Sequence, residues 1–97
     1  MLYKDLYLKE YNAQHWMEFV ELYRDEYLLV NAELREKAGK SRIPEDICMV
    51  LLPEMGDYLF TWIEKSVPAL GSDKPSDYLN NDDGIKALKA MIMRMPR

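Results

Sequence analysis

The sequence predicts a small all-α protein, and three observations carry that prediction. Apolar residues recur at helical steps of three and four through most of the chain, turn-forming residues fall at widely separated points, and no stretch alternates convincingly as a strand would. Its 97 residues, 48% of them apolar and 31% charged, suit one globular unit and are too few for two independent cores. No internal repeat or low-complexity tract is present.

The longest periodic stretch places Trp16, Val20, Tyr23, Tyr27, Val30 and Leu34 along a single helical face. Asn12 is suited to cap its start, and Gly39 to end it in the left-handed conformation. A helix over all of Ala13 to Lys37 would be a rod about 37 Å long, against a radius of gyration of about 13 Å for a packed domain of this length. Such a rod must run past the core, bend or pair. The seam of Trp16, Val20, Tyr23, Tyr27 and Val30 therefore predicts a homodimer or higher assembly. Ahead of it, Tyr3, Tyr7 and Tyr11 repeat at a spacing that predicts a short helical arm, although Leu6 and Leu8 also fit a strand.

Lys40 to Pro44 reads as a polar loop, with Pro44 opening a helix that carries Ile47, Val50 and Leu51 and stops at Pro53 and Gly56. Leu59, Trp62 and Ile63 define a short amphipathic helix that ends before Pro68, whose ring disfavours helix at Val67. After a loop from Val67 to Lys74, Pro75 opens a single turn through Leu79. Asn80 or Asn81 then caps a last helix whose apolar stripe is Ile85, Leu88, Ile92 and Met95.

Composition narrows the function. Charges interrupt the N-terminus and the longest apolar run, Ile47 to Leu52, is far short of the roughly 20 residues of a membrane span, so neither a secretory signal nor a membrane helix is expected. The lone Cys48 fits a reducing cytoplasm and a place in the core. A net charge of −4 disfavours nucleic acid as the main ligand and favours a basic partner.

Catalytic signals are sparse. The single histidine, His15, has no neighbouring nucleophile or second metal ligand at a useful spacing, and phosphate-binding and serine-hydrolase motifs are absent from the sequence, so no enzyme activity, cofactor or metal is expected. Asn80-Asn-Asp-Asp83 lacks the distal glutamate of a calcium loop and reads as a capped helix start. The helices on either side of Gly56 have the spacing of a helix–turn–helix. The second would present Asp57 to the bases and offers no arginine, so it reads as core.

The C-terminus is unusual for an acidic chain. Lys86, Lys89, Arg94 and Arg97 are interleaved with Met91, Met93 and Met95. Positive side chains there offset the negative pole of the last helix. Adaptable methionines beside arginine also suit a protein interface, and Lys89, Met91, Met93, Arg94, Met95 and Arg97 are the candidate partner-binding residues.

From Ile43 onward the chain resembles the toxin-binding domain of the Xre/MbcA/ParS family of bacterial antitoxins. The resemblance lies in Trp62-Ile63, Pro68-Ala-Leu70-Gly71, Lys74-Pro75-Ser-Asp-Tyr-Leu79, and Gly84 opening a final amphipathic helix. Ser66-Val67 stands in place of a frequent Pro-Asn. Ser72 replaces the usual second glycine, which predicts a loop conformation open to a residue with a Cβ. Many relatives carry a DNA-binding helix–turn–helix ahead of this domain, where this chain has its aromatic, acidic helix.

The periodic tyrosines and aromatic seam make residues 1–40 a helical arm and candidate oligomerisation segment, and the resemblance implies residues 41–97 as a toxin-binding-like domain. It implies a non-enzymatic antitoxin whose C-terminal region covers the active-site cleft of a RES-domain toxin, a fold similar to ADP-ribosyltransferases that consumes or transfers from NAD. A dimerising helical adaptor without a toxin partner is the alternative, and a DNA-binding regulator ranks below both.

Overall fold

Helical periodicity becomes a series of short α-helices in the computed structural model, which describes residues 2–96. They are α1 (Leu2–Glu10), α2 (Ala13–Glu21), α3 (Arg24–Leu28), α4 (Ala32–Gly39), α5 (Glu45–Met55), α6 (Leu59–Trp62) and α7 (Asp82–Arg94). Turns of 3-10 helix cover Gly56–Tyr58, Pro68–Leu70 and Pro75–Asn80. Among the described residues the one extended pairing is an antiparallel bridge between Val67 and Asp73.

The expected rod is the main correction. It is broken twice, between Glu21 and Arg24 and again between Leu28 and Ala32. At the first break the Leu22 N–H turns back to the Phe19 and Val20 carbonyls, tightening the helix end. At the second, Asn31 leaves helical geometry and its side chain accepts from the Glu33 N–H, starting α4 afresh. The broken helix wraps α5, and the radius of gyration is 12.7 Å.

Other boundaries shift for local reasons. Asn12 caps α2 and Asn81 caps α7, each accepting from the N–H three residues on. Gly39 is the last residue of α4 and has no left-handed backbone; Lys40 closes that end at φ −90°. Pro53 does not stop α5, which runs on to Met55. The last turn of α7 closes before Met95, which is extended.

One core runs through both parts of the chain. Ile47, Val50, Leu51 and Leu52 of α5 meet Leu59 of α6, Leu70, and Ala87, Leu88, Met91 and Ile92 of α7, while Trp16, Val20 and Ala38 join from the N-terminal helices. Helix α1 lies across α7 and the Pro68–Leu70 turn. No described helix is long and apolar enough to cross a membrane.

Candidate interaction surfaces

The residues from Trp62 to Gly84 form an interlocked unit. Trp62, Leu70, Pro75 and Leu79 are buried, and Pro68 starts the turn that drives Leu70 into the core. The Val67 carbonyl accepts from both the Leu70 and the Ser72 N–H, and the Val67 N–H donates to Asp73. Buried Ser76 ties the next turn back to α6: its N–H donates to the Ile63 carbonyl at 2.8 Å and its hydroxyl to Glu64 at 2.9 Å.

Two glycines serve this unit by steric means. Gly71 has φ +68° and lies against the Tyr3 ring, which a Cβ would meet at 2.7 Å. Gly84 sits in α7 where a Cβ would collide with the Tyr78 carbonyl oxygen. Ser72 corrects an expectation. Its φ is +70°, so the loop keeps a left-handed conformation suited to glycine and the serine bears the strain.

The basic C-terminus divides into inward and outward residues. Met91 is buried in the core, and Lys89 is largely buried beside Asp46 at 2.8 Å, its ammonium 5.5 Å from the Trp16 ring centroid. These two of the proposed contact residues are spent on the chain's own packing. Arg94 is exposed and reaches Glu10 of α1 with two contacts, at 2.8 and 3.0 Å. Met93 and Met95 are half-buried on the core's edge. Arg97 lies outside the described residues.

Asp46 is a junction that periodicity did not reveal. It sits in the first turn of α5, accepts from the Trp16 indole N–H at 2.8 Å and pairs with Lys89, so one carboxylate ties α2, α5 and α7 together. Burial is the largest influence on its pKa and raises it, but bonds from Lys89, Trp16 and the Ile47 N–H together prevail and hold it below the usual range. An acidic residue at a helix start is common for dipole reasons, which concealed this one.

The seam of the broken helix faces inward. Trp16 and Val20 are core residues, the Tyr23 hydroxyl donates to Glu54 at 2.9 Å, and half-buried Tyr27 and Val30 pack on the core's edge. What projects outward is Met17, Leu22, Leu28 and Leu29, with Leu22 74% and Leu29 87% exposed. All four fall out of phase with the seam, and that phase is the signal in the sequence that could have found them. A shallow groove of about 360 Å³ opens beside Leu29, walled by Leu29, Val30, Leu34, Leu52 and Pro53.

The remaining chemically suggestive groups are dispersed. His15 is exposed at the start of α2. Cys48 is buried, and burial followed by the charges of Asp46 and Glu45 pushes its thiol up to about 11. The Tyr78 hydroxyl is buried without a hydrogen-bond partner among the described residues, beneath an opening lined by Lys4, Asp73 and Asp77. Among the described residues no three His, Cys, Asp or Glu side chains are grouped to hold a metal ion. No family model, curated protein or solved structure matches this chain.

Proposed function

We propose that this chain is an antitoxin that binds a RES-domain toxin and covers its active-site cleft. The observation that supports this reading is the interlocking of Trp62, Pro68, Leu70, Gly71, Pro75, Leu79 and Gly84. Each residue that carries the resemblance has a packing or backbone role in one continuous unit, so their spacing answers to geometry. A cytoplasmic location, where the Cys48 thiol stays reduced, goes with this reading.

The contact would centre on Arg94, Met93 and Met95 at the end of α7. An exposed ion pair such as Arg94–Glu10 is worth little, so Arg94 can exchange Glu10 for an acidic group of the toxin at small cost. Covering the half-buried methionines adds roughly 25 cal/mol for each Å² of apolar surface removed from water. Lys89 and Met91 act indirectly, by holding α7 in place.

Co-expression with a candidate RES-domain toxin tests the proposal. The full chain is expected to restore growth and to co-elute with the toxin, whereas a chain truncated before Met93 stays helical and restores nothing. A full chain that neither rescues growth nor co-elutes overturns the reading, and undiminished rescue by the truncated chain overturns the C-terminal contact.

A further inference from the structure

The stretch from Met17 to Glu33 is remote in sequence from the C-terminal contact, and its character is specific. Between Met17 and Glu33 the chain carries Glu18, Glu21, Asp25, Glu26 and Glu33 against a single cation, Arg24. Arg24 is already held by both carboxylate oxygens of Glu21, at 2.7 and 3.0 Å. The cations that follow are engaged as well: Arg35 donates to the Val30 carbonyl, Lys37 pairs with Asp57 and Lys40 with Glu36. Glu18, Asp25, Glu26 and Glu33 form no ion pair among the described residues.

Within the same stretch Met17, Leu22, Leu28 and Leu29 are exposed, and Leu29 walls the groove that Val30, Leu34, Leu52 and Pro53 complete, with Glu26 also lining it. Helix periodicity does not require leucines there, because the inward seam already supplies the residues that bury against α5. An open apolar groove with Glu26 on its wall, in a stretch of chain rich in carboxylates, fits an apolar side chain flanked by lysine or arginine. A second copy of this face brings carboxylates against carboxylates, which disfavours self-association through it.

We infer that Leu28, Leu29 and the groove that Leu29 walls are a second docking surface, for a helix of the toxin that presents an apolar residue flanked by basic ones. The inference rests on the toxin-binding reading and adds to it a contact far along the sequence from α7. Two anchors on one partner make dissociation slower than either alone.

The test uses the full chain and the co-expressed RES-domain toxin, with affinity measured by calorimetry or surface capture. Leu28→Glu with Leu29→Glu is expected to weaken binding by about 100-fold, as loss of a central anchor does. Asp25→Lys with Glu26→Lys, which removes no apolar residue, is expected to weaken it about tenfold and to reduce its salt dependence. Circular dichroism should be unchanged in both, since the four side chains are exposed. If both variants bind like the parent, the second surface is overturned and the toxin reading stands. If the parent does not bind the toxin, both fall. If light scattering finds the parent dimeric and the leucine variant monomeric, the face belongs to a second copy and the inference is overturned.

Discussion

The stretch from Ile43 to Met95 and the stretch from Tyr3 to Arg42 hold their shapes by different means. In the first, burial is dense and steric: Leu70 and Leu88 have no exposed surface, Gly84 leaves room for the Tyr78 carbonyl, and Ser76 ties its turn to the end of α6 through backbone and side chain. In the second, short helices lay Trp16, Val20 and Ala38 and the half-buried Tyr7, Tyr27 and Val30 on the same core, and polar contacts add to that packing, Tyr7 to the Ala69 carbonyl, Trp16 to Asp46 and Tyr23 to Glu54. The first arrangement fixes position by excluding alternatives. The second holds the helices while leaving leucines in solvent, which suits a surface that meets a partner.

The sharpest way to break this comparison is at Gly84. A methyl group there meets a backbone carbonyl that cannot rotate away, so α7 must shift from the Pro75–Asn80 turn. Gly84→Ala is expected to cost about 3 kcal/mol, the upper range for overpacking, outweighing the gain in helix propensity. Urea denaturation measures it. A stability equal to the parent's means that the two elements are not locked as described.

Asp46 is where the two regions meet, and its expected effect is intermediate. Asp46→Asn keeps a partner for the Trp16 indole but leaves the Lys89 ammonium, with 15% of its side chain exposed, lacking its counter-charge. A loss of about 1 to 2 kcal/mol follows from removing a partly buried charged partner. The sign with pH is set by the depressed pKa in the folded state. This carboxylate's contribution is complete above its unfolded value of about 3.9 and is lost as pH falls through the lower folded value. Thermal melts from pH 6 down to pH 2 should therefore converge for parent and variant at the acid end. A gap that persists there assigns the effect to packing.

Much of the C-terminal part was legible because its signals are local. Pro68, Pro75, Asn81 and the stripe through Leu88 and Ile92 act within a few residues of where they stand, and the structure uses them at or near those places. The N-terminal part was misread because the spacing of Trp16, Val20, Tyr23, Tyr27 and Val30 reports a common inward direction and says nothing about continuity. A helix broken at Tyr23 and Asn31 keeps that direction by wrapping α5, and only the Asn31 side chain hints at the second break. Asp46, Lys89 and Met91 illustrate another limit. Their roles depend on partners tens of residues away, which no local pattern encodes.

Ser72 sharpens the comparison with a gain. The Val67–Asp73 loop holds it at φ +70°, a conformation that costs a residue with a Cβ about 1 to 2 kcal/mol, partly offset by the greater entropy glycine loses on folding. Ser72→Gly is expected to raise stability by about half to one kcal/mol, or Tm by about 3 to 5 °C. A calorimetric scan that shows a lower Tm would mean that the serine is compensated in its native loop.

The smallest effect belongs to Leu29, and its smallness is the point. A leucine with 87% of its surface in solvent has little transfer free energy to lose and leaves no cavity when shortened, so Leu29→Ala should change stability by less than about half a kcal/mol. Buried leucines in this fold, such as Leu70, should lose about 2 to 5 kcal/mol on the same substitution, because their removed methyls leave space that packed neighbours fill only in part. The pair of melts is best run over a hundredfold range of protein concentration. Coverage of Leu29 by another copy would make its Tm rise with concentration and make the alanine variant markedly less stable at the high end. Concentration-independent melts with a negligible loss at Leu29 establish that the isolated chain leaves this leucine uncovered, as the toxin-docking inference requires.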